Sequence, residues 1–303
     1  MRPQLRLTLL LPVLGLVLSN SPLTSQKLST SATPDAARDL RHQSADWFAI
    51  EPHLPDPATA SPQKLEIAGD VLRARRFPED ALVYYGYALQ RGGPEQELLI
   101  RMGVTELDLR HIEVARTYFL RVVHLQKKNA QGWNNLGAAE YVEGRYGNAV
   151  SDYSKAIKLD KKSAIYHSNL GTAYFEEKDF EKARRQFDIA LTLDPDMMQH
   201  HGASGIEAHM LSPADHAHYC FEIARLYAHR GDEENMLRYL TLSSEGGFDV
   251  LGSMNSDEVL AKYRKDPRVI SLVRNANALR NQKTAVADAR NGGVPPLLPQ
   301  IPN

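Results

Sequence analysis

The side chains with the most obvious chemical capacity crowd into one short stretch. His200, His201, His209, His216 and His218 fall within nineteen residues. Two or three imidazoles bind zinc or copper when a loop brings them together. Adjacent His200 and His201 do not readily turn to one point, and His216 and His218 sit at a helix start, where side chains two apart diverge. The expectation is a metal-free loop that shapes one end of a groove, with no cofactor. Carboxylates are plentiful but alternate with cations, as in Glu176-Glu177-Lys178 and Glu181-Lys182, the pattern of a solvated helix face. No nucleophile elbow, P-loop, dinucleotide fingerprint or H-E-x-x-H motif is present. The single cysteine, Cys220, excludes an intramolecular disulfide and a multi-cysteine zinc site, and its place on the core side of a helix predicts a buried structural thiol. Basic and acidic residues number 36 and 37, a balance that argues against a nucleic-acid footprint. These residues predict no enzyme.

What remains is the chemistry of recognition, and it rests on a repeat. Gly69, Gly103, Gly137 and Gly171 stand 34 residues apart. Ala81, Ala115, Ala149 and Ala183 follow in the same register, and Tyr85, Phe119, Tyr153 and Phe187 come four residues later. A fixed period of this length signals a stacked array. Glycine inside a helix costs about 1 kcal/mol against alanine, so four at one position imply close packing. The expected contact is with the alanine of the second helix, while the aromatic, one turn on, fills the wedge between helices. At 100° per residue, the position two before each glycine lies about 160° from it, nearly opposite the core stripe. Arg101, Asn135 and Asn169 occupy that position. Asn134 and Ser168 precede them, and Ala138, Thr172, Tyr141 and Phe175 continue the same broad face. First helices of stacked hairpins line the inside of a superhelix, so these nine residues form the candidate peptide-binding face. An asparagine amide both donates and accepts, and can grip a peptide group. The competing reading is that the asparagines support packing between repeats.

The motif Trp133-x2-Leu136-Gly137, then Leu170-Gly171-x2-Tyr174, with Ala149-x3-Tyr153, Ala183-x3-Phe187 and Pro195, resembles the tetratricopeptide repeat family. The resemblance is strongest over Asn129–Pro195 and extends over Pro62–Lys128. It implies a right-handed all-α solenoid, with asparagines that hold peptide backbones. The chain departs from the pattern at Glu140 and His167, and at Lys127 and Lys161, which replace the closing proline. The basic clamp by which some members hold a terminal carboxylate is absent: Gln131, Asn135, Ile165 and Asn169 stand there.

The flanks complete the plan. Residues 1–26 look like an export signal, with Arg2 and Arg6 before the apolar run Leu7–Leu18. Twelve helical residues span roughly 18 Å, short of a ~30 Å hydrocarbon core. A cleaved signal, an uncleaved anchor that would keep the chain near a membrane, and an incidental apolar start are the three readings. Residues 27–61 read as a low-order linker with one short helix in Pro34–Ile50, whose Trp47 and Phe48 are either loose or dock on the first repeat. Four repeats follow, at 62–95, 96–129, 130–163 and 164–197, with Asp196–Met198 able to prolong the last helix. Then come a His-rich insertion at 197–213 and a degenerate hairpin at 214–247. A helical cap at 248–281 has expected helices Ser256–Lys265 and Pro267–Arg280. Its run from Gly247-Phe248-Asp249 to Asp266-Pro267-Arg268-Val269 is similar to the closing segment of many bacterial members. A Pro/Gly-rich tail at 282–303 should be disordered or extended.

The function expected from all this is an exported, periplasmic or extracellular, scaffold that binds a peptide segment or partner protein in its concave groove. The alternatives are an assembly subunit of a cell-envelope complex and, behind it, a metal-handling protein using the histidine loop.

Overall fold

The glycine, alanine and aromatic columns meet inside successive helical hairpins, in a computed structural model that describes residues 34–198 and 213–290. Five hairpins follow one another: Pro62–Ala74 (α3) with Pro78–Gln90 (α4), Glu95–Asp108 (α5) with Ile112–Leu125 (α6), Ala130–Val142 (α7) with Tyr146–Leu159 (α8), Ala164–Glu176 (α9) with Phe180–Leu193 (α10), and Pro213–His229 (α11) with Glu233–Glu245 (α12). Ahead of them lie Pro34–Arg41 (α1) and Ala45–Ile50 (α2). After them come Val250–Ser253 (α13), two 3-10 segments at Met254–Ser256 and Leu260–Lys265, and Pro267–Arg290 (α14). Within the hairpins each helix packs most closely on its partner, and the second helix of one regular hairpin packs next on the first helix of the following one. The result is an all-α solenoid of antiparallel hairpins with a helical cap. No helix among the described residues is long and apolar enough to cross a membrane.

The four column glycines and alanines are buried, as are the aromatics four residues beyond the alanines. The contact differs from the one expected. A Cβ on Gly103, Gly137 or Gly171 would stand 2.5, 2.8 or 2.6 Å from the ring of Phe119, Tyr153 or Phe187, and Gly69 faces Tyr85 in the same way. The ring, reaching across from the second helix, fills the space the glycine leaves.

Each of the first four hairpins turns through one left-handed residue. Arg76, Arg110, Gly144 and Lys178, again 34 apart, have φ of 67°, 64°, 76° and 63°. Only Gly144 suits that conformation without steric cost. The turn is closed by a backbone bond from the next residue to the carbonyl five before it, as in Arg145 N to Glu140 O at 2.9 Å.

The flanks hold more structure than composition suggested. The segment ending at Phe48 and the chain from Ala49 onward are separate compact units. In the first, two helices replace the single one expected, and Trp47 is buried with its ring stacked on His42 at 3.7 Å. In the second, the proline-rich strap is tied down: Tyr84 Oη donates to Pro55 O at 3.2 Å, and Arg91 donates to the carbonyls of Ala58 and Ala60. Proline removes helix, yet its neighbours' carbonyls still seek donors. The last regular helix stops at Leu193, and Pro195–Met198 form a turn that does not prolong it. Residues 199–212, with His200, His201 and His209, lie outside the described residues, as do 1–33 and 291–303.

The fifth hairpin closes as expected, with Gly246 as its cap and Gly247 at φ 95°, bonded back to Ser244 O at 3.1 Å. The cap departs from expectation twice. Leu260–Lys265 is 3-10 and not α-helical, because Asp257 turns the chain ahead of it, accepting from the amides of Val259 and Leu260 at 3.0 Å each. The last helix runs to Arg290, so 282–290 are helical; three of those nine residues are alanine, the best helix former, and none is glycine or proline.

Candidate functional site

First helices of neighbouring hairpins approach each other, α5 with α7 and α7 with α9, more than the second helices do. The first helices therefore lie on the inner side of the stack, and their outward faces make the candidate surface. Two slots recur where one first helix meets the next. One pairs a residue three before the glycine with the residue 35 further on. The other pairs the residue four after the glycine with its own partner 35 on.

Between the first two repeats both slots hold ion pairs. Arg101 Nη2 lies 2.8 Å from Glu66 Oε1 and its Nε 3.4 Å from Asp70 Oδ1, and Arg73 Nε lies 2.8 Å from Asp108 Oδ2. Between the third and fourth the same slots hold uncharged donors. Asn169 Nδ2 donates to Asn134 Oδ1 at 2.9 Å, and Tyr141 Oη donates to Glu176 Oε1 at 3.2 Å. Burial, with Glu176 beside it, drives the Tyr141 phenol far above its usual range, so it stays a donor. Burial also raises the Glu176 carboxyl. The middle interface has no such bonds. Its slots hold Ile100 with Asn135 and Leu107 with Val142.

This sorts the nine predicted residues. Asn134, Asn169, Ala138 and Tyr141 are buried in the joints between repeats, and the asparagine pair there is packing chemistry. Phe175 is fully enclosed, with Phe180, Tyr219 and His218 rings centred 5.2, 5.4 and 5.5 Å away. It is part of the core, because the fifth hairpin covers the side that an angle count on α9 alone leaves open. Arg101 is half-buried and held by two carboxylates. Asn135, Ser168 and Thr172 are half-buried and still reach solvent. Thr172 donates to Ser168 O at 3.1 Å, whereas Asn135 only accepts, from Asn134 Nδ2 at 3.3 Å, and keeps its own amide donors.

Other polar clusters hold the stack and were missed in part. Glu140, buried, accepts from Arg116 Nε at 2.7 Å, from Asn148 at 3.2 Å and from Arg145. Burial pushes its carboxyl up, but these donors outweigh burial and hold it below the usual range. One repeat earlier Glu106 meets His111 Nδ1 at 2.8 Å in the same two positions. The positions read Leu72 and Phe77, Glu106 and His111, Glu140 and Arg145, Tyr174 and Asp179 down the repeats. Each acid that replaces an apolar or aromatic residue there brings its base five residues later, and that internal covariation was the available signal.

Of the histidine cluster, His216 is exposed, with Nδ1 3.8 Å from Cys220 Sγ. His218 stacks on Phe248 at 5.0 Å, with Nε2 3.7 Å from Glu222. Cys220 is buried, its thiol pushed up to about 12 by burial. Among the described residues, no three His, Cys, Asp or Glu side chains gather as metal ligands.

Comparison with known proteins bears on this array. A family model described as TPR repeat matches residues 137–178, and one described as tetratricopeptide repeat matches 164–197. No curated protein matches the chain. Among solved structures, pilF of Pseudomonas aeruginosa is 18% identical, covers 75% of this chain and 91% of its own, and has a TM-score of 0.49. MamA 41-end from Desulfovibrio magneticus RS-1 is 20% identical over 63% of this chain and 96% of its own, with a TM-score of 0.43. YrrB, described as a TPR protein with an unusual peptide-binding site, is 18% identical over 73% and 98%, with a TM-score of 0.40. Residues 137–197 thus match tetratricopeptide repeats, and the shared register carries the same helical hairpin back to Pro62.

Proposed function

We propose that the chain is a non-enzymatic scaffold that holds an extended peptide segment, or a partner protein offering one, along the inner faces of its first helices. The observation that carries this reading is Asn135. Its amide donors are unused, it stands where the two slots between neighbouring first helices hold no polar bond, and Ser168 and Thr172 continue the face on the next helix. An extended peptide has carbonyls every few ångströms that need donors, and an asparagine amide supplies them. The proposed compartment is outside the cytoplasm, supported by Arg2, Arg6 and the Leu7–Leu18 run.

The test is proximity labelling from the full chain, repeated with Asn135→Asp. That change keeps the oxygen that accepts from Asn134 but removes the donors. The reading expects a discrete set of labelled proteins that shrinks in the variant. An unchanged set would place the contacts elsewhere, on the outer helices or the ends, and favour a fixed assembly role. Sequencing the N-terminus of the purified mature protein tests the compartment, and an intact Met1 would count against a cleaved signal.

A further inference from the structure

The chain is nearly neutral, yet its charges are not evenly spread. The loops between α6 and α7 and between α8 and α9 carry Lys127, Lys128, Lys161 and Lys162, and Lys158 lies in the last turn of the helix before the second loop. All five are exposed, and none forms an ion pair with a described residue. The neighbouring cations Arg121 and Lys155 are neutralised by Glu95 and Asp152. Asp160 is the one acid in these two loops, and it accepts from the Lys162 amide at 3.0 Å. The basic stretch ends at the next loop, which opens with Asp194 and Asp196.

The two loops are held alike. Trp133 Nε1 donates to Lys127 O at 2.9 Å, and His167 Nε2 lies 3.3 Å from Lys161 O, the same ring-to-carbonyl bond one repeat later. The lysines therefore leave the stack from equivalent points, on one edge. Packed helices stand roughly 8–10 Å apart, about one Debye length at physiological salt, so the two rows act together on a surface facing that edge. Beside each loop a leucine is left open to water: Leu125 is 47% exposed and Leu159 41%.

We propose that this edge, separate from the inner face, docks on an anionic lipid bilayer. Lysines draw the edge to acidic headgroups, and Leu125 and Leu159 meet the acyl boundary. Both loops lack arginine and aromatic side chains. Guanidinium forks and stacking rings are the means of gripping phosphodiesters or bases in a nucleic acid. An acidic polypeptide would satisfy the lysines but leave the leucines in water.

The test uses the full chain and sedimentation with phosphatidylcholine vesicles, with and without about one-third phosphatidylglycerol. Binding is expected only to the anionic vesicles and should weaken with salt. Lys128→Gln with Lys162→Gln should weaken it about 25-fold, at about fivefold per lysine, and all five lysines changed to Gln should weaken it more than about 100-fold. Melting temperatures should not move, since the side chains are solvated. Equal binding to neutral vesicles would overturn the proposal. So would full binding by the five-lysine variant, which would assign adsorption to the apolar run near the N-terminus. Capture of polyglutamate without vesicle binding would overturn it in favour of an acidic protein.

Discussion

Asn169 and Asn135 sit at the same repeat position, and the structure gives them different surroundings. Asn169→Ala removes the donor to Asn134 Oδ1, an acceptor buried between α7 and α9. A buried acceptor left without a donor costs about 1–3 kcal/mol, so about 2 kcal/mol is expected here. For an array of this size that lowers Tm by roughly 4–8 °C. Asn135→Asp keeps the acceptor for Asn134 Nδ2 at an accessible position and should stay within about 0.5 kcal/mol. The assay is urea and thermal unfolding of both single variants, with Asn134→Ala and the Asn134/Asn169 double variant to close a cycle. The two asparagines should couple by about 1 kcal/mol. Partner capture, measured alongside, should fall with Asn135→Asp. Additive losses at Asn134 and Asn169, or an Asn169→Ala protein with unchanged Tm and lost capture, would refute the assignment of that pair to packing.

Three further outcomes follow from the same contacts. Gly171→Ala should destabilise by roughly 1–3 kcal/mol despite alanine's better helix propensity, because its Cβ would stand 2.6 Å from the Phe187 ring, whereas Gly86→Ala in α4 meets nothing within 4 Å and should stabilise by about 0.5–1 kcal/mol; urea midpoints decide both. Arg76→Gly should leave stability unchanged or raise it by up to about 1 kcal/mol, since φ there is 67° and the side chain is exposed; a clear loss of Tm would show that strain is not what the turn carries. Asp257 is raised by burial but lowered further by the Leu260 amide, His229 and Arg225, to about 2. Its folded value lies below the ordinary carboxylate value of about 4. It therefore adds roughly 2 kcal/mol at neutral pH that is lost as pH falls from about 4 to about 2, and Asp257→Asn should flatten stability across that window.

How much of this could be read from the chain depends on how far away the deciding neighbour lies. The glycine, alanine and aromatic columns were legible because a stacked hairpin buries the same positions each time, so burial prints itself on the sequence at the repeat period. Even there the partner of Gly137 was misassigned to an alanine, since periodicity locates a buried position without saying which atom fills the gap; the Tyr153 ring does. The candidate face was legible only as an angle. Rotation about α9 puts Phe175 and Asn169 on the same broad side as Thr172, but whether a residue on that side meets a ligand or a neighbour is decided 35 residues earlier or about 40 later. Asn134 seals Asn169, and the fifth hairpin, in a shifted frame, seals Phe175 with Tyr219 and His218. The cap was misread for a local reason: Asp257 bonds the amides ahead of it, a competition between side chain and helix that periodicity does not register. An array of repeats thus states its architecture in one residue column at a time, while its accessible chemistry is a property of pairs of columns. Asn135 stands out once its column is laid against that of Ile100, which offers it no partner.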